Sequence, residues 1–191
     1  MKHTCIIACN LLFGILYPAL PLFLSKGKYP LLTVAMLLLG LLFLGGATLL
    51  ILKKRQAVAV GRMAADYYLA RKFISFAFYG SESARYSRIE ERAFRDRLAE
   101  GGHEGSTCYG DFLPDARPSP LWRKSAQSTV RWLRRLAKPV AVFVCEDTPA
   151  RHLADLCRQL ELRIPGDVAL LGVGNDELEC RLTTPLLSSI E

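Results

Sequence analysis

The sequence predicts an α/β protein in which a parallel sheet follows transmembrane helices. Three observations support this prediction. Residues 1–52 contain no Asp or Glu and three Lys, so all 18 acidic residues of the 191-residue chain lie further on. An uncharged run of 22 residues occupies 31–52. Beyond it, short apolar runs that end in polar residues alternate with segments of helical periodicity, which is the pattern of β-α-β units.

Composition excludes several other classes of protein. The chain is 51% apolar and has a formal net charge of +7, which excludes a disordered chain, a collagen and a small disulfide-stapled protein. The uneven distribution of charge also excludes a uniformly water-soluble domain. Its two parts are suited to different solvents.

The segment 1–55 is predicted to lie in a membrane. The run 31–52 has two threonines as its only polar side chains. At ~1.5 Å per residue, a helix of this length crosses a hydrocarbon core of ~30 Å. Lys53-Lys54-Arg55 follows at once, and such basic clusters favour the cytoplasmic side. A weaker span at 5–24 carries two prolines, which membrane helices tolerate; a cleaved signal peptide is its alternative.

The favoured arrangement is a two-span hairpin that contacts the membrane through residues 5–52. It places the chain in the inner (cytoplasmic) membrane with its C-terminal domain in the cytoplasm. If the N-terminal segment does not belong natively to the rest, a cytoplasmic location is expected instead.

The remaining residues, 56–191, are predicted to alternate between helices and strands. Short β-branched and aromatic runs predict buried strands at 73–79, 140–145 and 168–173. Periodic apolar positions predict helices at 56–72, 87–100, 126–138 and 149–162. Gly and Pro recur between 103 and 120, which predicts a loop.

Two of these helices have recognisable start signals. Ser87-Arg-Ile-Glu90 has the capping-box pattern, in which the two side chains satisfy each other's backbone N–H groups. Thr148-Pro149 combines an N-cap residue with a proline in the first helical position. We therefore expect helices to begin after Ser87 and after Thr148.

Polar residues follow the last two predicted strands. Glu146-Asp147 comes after 140–145, and Asn175-Asp176 comes after 168–173. A β-α-β unit makes these strands parallel, so their carboxyl ends share one edge of the sheet, where open α/β sheets bind ligands. Carboxylate and amide groups there can accept hydrogen bonds from hydroxyl groups. A sugar or polyol is the expected partner.

Three stretches resemble the sugar-sensing domain of LacI/GalR-type transcription regulators, which has the fold of type I periplasmic sugar-binding proteins. They are Gly61–Gly80, Lys138–His152, and the stretch from Ile164-Pro-Gly-Asp to Ile190. The sequence of these stretches is most similar to regulators of the xylose-operon kind, which join such a sensor to an AraC-type DNA-binding domain. The resemblance covers about residues 57–191.

The resemblance implies a bilobed sensor with its ligand between the lobes. Asp147 and Asn175 match positions that commonly hydrogen-bond the sugar, and Glu146 and Asp176 adjoin them. The family often has an Arg where this chain has Glu90; Arg88 is the candidate substitute. Plainer roles compete with ligand contact, because a carboxylate such as Asp147 suits a helix N-terminus and an Asn suits a turn.

The resemblance also implies an incomplete domain. A full sensor needs roughly 270 residues, more than one core usually supports, and this chain offers about half of them. We therefore expect a truncated domain with a first-lobe remnant at about 56–105 and a second lobe at about 121–191. DNA would be contacted only through a missing or separate domain, and a homodimer is a candidate assembly.

No cofactor or metal ion is expected. The six cysteines show no CxxC and no Cys/His zinc spacing, and Gly172-x-Gly174 lacks the third glycine of a dinucleotide loop. The favoured function is the sugar-sensing portion, with xylose as one candidate ligand, of a bacterial transcription regulator. A membrane-anchored protein with a non-enzymatic binding or scaffold domain is the alternative. An enzyme using Asp147 or Asp176 is disfavoured because no catalytic triad can be assembled.

Overall fold

The computed structural model describes residues 12, 15–16, 30–110 and 120–191. The chain divides into two compact units, one ending at Gln56 and the other running from Ala57 to Glu191. This division lies one residue from the predicted boundary at 55/56. The predicted span at 5–24 lies outside the described residues, apart from residues 12, 15 and 16.

The first described element is a helix of 41 residues, α1, over Pro30–Ala70. It includes both the uncharged run 31–52 and most of the helix predicted at 56–72. Its apolar stretch is exposed, with Leu42 72% and Leu41 64% accessible. Within the described part of the chain, Leu37–Ala70 is the one helical stretch long and apolar enough to cross a membrane. Membrane spanning itself stays a prediction.

The described residues of the second unit form a sheet of five parallel strands. They are β1 (Phe76–Gly80), β2 (Gly105–Tyr109), β3 (Val140–Val144), β4 (Val168–Val173) and β5 (Ser188–Ile190). Their order across the sheet is β2-β1-β3-β4-β5, and every neighbouring pair is parallel. The prediction that β3 and β4 run side by side in the same direction is confirmed.

Helices cover both faces of this sheet, as a sheet with apolar residues on both faces requires. Besides α1, the described part of the chain forms the helices α2 (Arg85–Glu100), α3 (Pro120–Arg135), α4 (Asp147–Gln159) and α5 (Glu177–Arg181). One core packs Leu133 of α3 and Leu153 of α4 against Val142. The other packs Tyr68 of α1 and Phe94 of α2 against the opposite face.

The sheet corrects the predicted division into two lobes. β1 comes from the range 56–105 and β3 from the range 121–191, yet they pair in parallel. The N–H of Cys145 also donates to the carbonyl of Tyr79 at 3.1 Å. Both ranges therefore share one sheet. Short apolar runs in a sequence identify strands, but they do not identify which sheet each strand joins.

Both predicted helix starts come too late, by three residues at Ser87 and by two residues at Thr148. Helix α2 begins at Arg85, and the hydroxyl of Ser87 accepts the N–H of Ser81 at 3.1 Å instead of capping the helix. Helix α4 begins at Asp147 and not after Thr148. The predicted loop at 103–120 also contains β2. In each case tertiary contacts outweigh a short local pattern.

Helices α1 and α2 pack tightly against each other at Gly61. A Cβ atom added at Gly61 would lie 2.9 Å from the Cβ of Ala93 and closer still to the carbonyl oxygen of Glu90. Backbone atoms cannot move aside as a flexible side chain can. The contact therefore requires glycine at this helical position.

We expect Gly61→Ala to destabilise the second unit by about 1–3 kcal/mol, the usual cost of overpacking. Alanine's better helix propensity, worth ~1 kcal/mol, offsets only part of that cost. Gly166→Ala is the control, because its added Cβ meets Arg163 at an ordinary 3.5 Å. Urea unfolding followed by tryptophan fluorescence gives both values. Equal midpoints for the two variants would contradict the assignment of Gly61.

Candidate functional site

The predicted site residues follow the carboxyl ends of neighbouring strands. We define the strand-end rim as the segments 81–84, 145–146 and 174–176, which follow β1, β3 and β4, together with the first turns of the helices that come next. Because β1, β3 and β4 are consecutive in the parallel sheet, these segments lie along one edge. This is the edge at which open α/β sheets bind ligands.

Asp147 is the buried carboxylate among the described residues of the rim. Asp147 is 2% exposed and occupies the first position of α4. Oδ2 accepts the N–H of Asp176 at 2.8 Å, which connects the end of β3 to the end of β4. Oδ1 is buried and has no hydrogen-bond partner in the described residues. Asp147 therefore fixes the turn after β4.

Two glycines lie beside this carboxylate, and each position requires glycine for a different reason. A Cβ at Gly172 would overlap Oδ1 of Asp147, so only glycine fits at this point of β4. Gly174 has φ of +116°, a conformation that side chains rarely adopt. Its N–H donates to the carbonyl of Ile190 at 2.8 Å, so the turn is held from β5 as well.

Asn175 is exposed at the tip of this turn. Its φ is +52°, in the left-handed region that Asn tolerates better than most residues. Its backbone N–H donates to Oγ of Ser189 at 2.9 Å. Asn175 therefore has the backbone conformation of the turn residue that the sequence offered as its plainer role. The side chain remains at the exposed surface of the rim, where a ligand can reach its amide.

Asp176 has the role of an N-cap. Its Oδ1 accepts the N–H groups of Leu178 and Glu179 at 3.0 and 3.1 Å, at the start of α5. The thiol of Cys180 lies close by; burial and then the negative charge of Asp147 raise the pKa of that thiol. Helix α5 is further connected to α4 by an ion pair between Arg151 and Glu179.

Glu146 is exposed and interacts with α2. The hydroxyl of Tyr86 donates to Oε1 of Glu146, which joins the segment after β3 to the helix after β1. Desolvation of the carboxylate and then the charge of Asp147 raise the pKa of Glu146. The Tyr86 contact was not predicted, because the assumed helix start at Ser87 left Tyr86 outside the helix.

Arg88 lies on the β2 side of the rim, away from Asn175. Its guanidinium lies over the ring of Tyr109, 5.4 Å from the centroid, beside the last residue of β2. β2 and β4 are three strand spacings apart in the sheet, about 14 Å at ~4.8 Å each. Arg88 is therefore separated from Asn175 by the width of two strands.

Glu90 is buried instead of capping α2. The residue is 4% exposed, and its Oε2 has no hydrogen-bond partner in the described residues. Burial raises the pKa of Glu90 to about 8. Its charge contributes, after burial, to raising the pKa of the Cys145 thiol to about 11. A protonated Glu90 at neutral pH avoids a buried, unpaired charge.

The rim provides mostly acceptors. Within the described residues, no Lys, Arg or His forms an ion pair with Glu90, Glu146, Asp147 or Asp176. The carboxylates do not converge either: the described part of the chain has no group of three His, Cys, Asp or Glu side chains that could hold a metal ion. Such a rim is suited to hydroxyl donors on an organic ligand.

Glu90 is expected to make stability depend on pH. The pKa of Glu90 is 4.5 in the unfolded chain and about 8 in the folded protein. Between these two pH values, the carboxyl group is ionised in the unfolded chain and protonated in the folded protein. The free energy of unfolding therefore falls by roughly 1.4 kcal/mol per pH unit in that window and levels off above it. In Glu90→Gln this slope disappears. Urea unfolding at pH 5.5, 6.5 and 7.5 measures it.

The exposed Glu82→Gln is the matched control and keeps the slope. If Glu90→Gln retained the full pH dependence of the unaltered chain, another group would be responsible, and the assignment to Glu90 would be wrong.

Comparison with known proteins shows which family the chain matches. Residues 65–191 match the family model described as a periplasmic binding protein-like domain. The xylose operon regulatory protein of Escherichia coli K12 is 30% identical over 119 residues, which are 60% of this chain and 29% of that protein. Its Haemophilus influenzae counterpart is 27% identical over 136 residues, 70% of this chain and 34% of that protein.

Solved structures agree with the fold. A structure of the xylose-binding transcription activator xylR has a TM-score of 0.59 and 30% identity, and the match covers 70% of this chain and 35% of that one. A dimeric Lac repressor matches with a TM-score of 0.56 and 19% identity over 70% of this chain and 46% of its own. At that identity the likeness shows the fold alone.

The chain spans about a third of the length of the xylose operon regulators that it matches. The family model covers well over half of the chain, and the five parallel strands have the arrangement that it implies. The chain belongs to the periplasmic binding protein-like domain family and is similar to the xylose operon regulators.

Proposed function

We propose that this chain is the sugar-sensing portion of a bacterial transcription regulator, and that it is a binding module and not an enzyme. The observation that carries the proposal is the strand-end rim, where acceptor side chains follow the neighbouring parallel strands β3 and β4. D-xylose is the first ligand to test, because the 30% identical relative of known structure is described as xylose-binding.

The rim residues divide into two roles. Glu146 and Asn175 are exposed and would accept hydrogen bonds from sugar hydroxyls. Asp147 and Asp176 would act mainly by holding the turn after β4 in place, through their bonds to backbone N–H groups. Arg88 lies beside β2 and would contact only a ligand that extends along the rim.

The wider assembly follows from the same proposal. A ligand on one lobe needs a second lobe to enclose it, and transcriptional control needs a DNA-binding domain. We propose that the first comes from further sequence or another subunit, the second from a separate domain, and that the working unit is a homodimer. The second lobe, the DNA-binding domain and the homodimer are all proposed for the whole regulator.

Isothermal titration of the full chain in detergent with D-xylose, L-arabinose and D-ribose tests ligand binding. We expect heat of binding for at least one pentose. Asn175→Gly removes the amide but keeps the positive φ accessible, so we expect about ten-fold weaker binding, the equivalent of ~1.4 kcal/mol for a lost hydrogen bond. Glu146→Gln is expected to weaken binding by a similar factor.

Glu161→Gly is the control, because Glu161 also has positive φ (58°) but follows α4, away from the rim. It should bind the pentose as the unaltered chain does. Flat titrations from a folded, monodisperse sample would refute sugar sensing by this chain.

A second proposal concerns membrane attachment, the alternative function of a membrane-anchored binding or scaffold protein. Its observation is the exposed apolar stretch of α1, in which Leu38, Leu41, Leu42 and Leu49 are each more than half accessible. Lys53-Lys54-Arg55 at its end favours placing the second unit in the cytoplasm, and hence the chain in the inner membrane.

Carbonate extraction of membranes tests this attachment. We expect the unaltered chain to stay in the pellet. Leu38→Asp together with Leu42→Asp should release it, because each central Asp costs about 2.5–3.5 kcal/mol on insertion scales. Leu178→Asp is the control: that residue is also exposed, at 67%, but lies in α5. Extraction of the unaltered chain would end the proposal.

A further inference from the structure

A second concave site lies toward the opposite ends of the strands. It is a cleft of about 360 Å³ near the start of β4, which we call the β4 cleft. Its walls are mostly apolar and aromatic, and they include Tyr67, Phe73, Ile164 and Leu186. This volume lies within the range of small-ligand sites, which are typically ~300–1,000 Å³ and largely apolar.

The cleft is open because β5 is short. β5 pairs only with Leu171–Val173, so the preceding part of β4 has a strand neighbour on the β3 side alone. Ala169 and Leu170 lie at the floor and are 8% and 7% exposed. Leu186, on the segment before β5, is 71% exposed on its wall. Burial of such apolar surface by a bound ligand contributes favourably to the free energy of binding.

One cation gives the cleft a charge preference. Arg71 is the single charged side chain among the described residues that line it, and no carboxylate lines it. The guanidinium stacks on Tyr67, 3.5 Å from the ring centroid, and its Nη1 donates to the carbonyl of Tyr67 at 3.2 Å. A guanidinium has five N–H donors, and its planar edge matches a carboxylate.

Two of the uncharged polar side chains in the cleft are already engaged. The Tyr68 hydroxyl donates to the carbonyls of Val142 and Ala169, at 2.8 and 3.1 Å. The Thr183 hydroxyl donates to the carbonyl of Cys180 at 3.0 Å. Arg71 is therefore the charged donor among the described lining residues, at the edge of an apolar floor, and Tyr67 and Ser188 add uncharged hydroxyls.

We propose that the β4 cleft binds a small amphipathic carboxylate, with its apolar body against Leu170 and Leu186 and its carboxylate on Arg71. This site lies at the other end of the strands from the rim and takes ligands of the opposite character. It does not rest on sugar binding.

The experiment compares 3-phenylpropionate with its uncharged amide, 3-phenylpropionamide. Both have the same apolar body, and they differ in the charge that Arg71 would recognise. The full chain is placed in phosphatidylcholine nanodiscs, and methyl NMR signals of Ile164 and Leu186 are followed during titration. Partition of each probe into lipid is the same for every variant, so differences between variants report the cleft.

We expect both signals to shift with 3-phenylpropionate, and the amide to bind at least ten-fold more weakly. Arg71→Gln should weaken the acid by about ten-fold and leave the amide unchanged. Lys72→Gln is the charge-matched control and should change neither, because Lys72 does not line the cleft. Leu186→Ser should weaken both probes.

Three results would overturn the proposal: equal affinity for acid and amide in the unaltered chain, equal affinity of the acid for the unaltered chain and Arg71→Gln, or unshifted Ile164 and Leu186 signals. The first two would leave an apolar cleft without charge recognition, and the third would exclude the cleft as the binding site.

Discussion

The parallel pairing of β3 with β4 determines where the candidate site residues lie. It brings the segment beginning at Cys145 beside the turn beginning at Gly174. Asp147 then secures that juxtaposition, because its carboxylate accepts the N–H of Asp176 across the two strand ends. A buried carboxylate bonded to backbone N–H groups holds its partner segment more firmly than exposed ion pairs do. The exposed side chains at the rim depend on this buried support.

Much of this arrangement could be predicted from the sequence. The runs at 140–145 and 168–173 are continuous and apolar, which is typical of strands buried on both faces, and a helical segment of suitable length separates them. Asp147 and Asn175 could then be placed at one edge. β2 could not be predicted in the same way, because it is an edge strand whose residues 105–108 are small and whose side chains are only partly buried or exposed.

The errors at the site have a common physical origin. Ser87 and Glu90 have the spacing of a capping box, but their side chains satisfy other constraints: Ser87 serves the N–H of Ser81, and Glu90 is enclosed where α1 meets α2. A four-residue pattern contains no information about which helix packs against it. For the same reason, the distance of Arg88 from Asn175 depends on a strand order that no local pattern encodes.

The strand order also has a consequence for synthesis of the chain. β1 and β2 adjoin at one edge of the sheet, but β1 pairs on its other side with β3, whose first residue lies 60 positions after the last of β1. Translation proceeds at ~5–20 residues per second. The edge of β1 that pairs with β3 therefore stays unpaired for several seconds after β1 and β2 have been synthesised. Loop closure over such a separation is slow. The nascent chain is most exposed to misassembly in that interval, while its central strand is still being made on the ribosome.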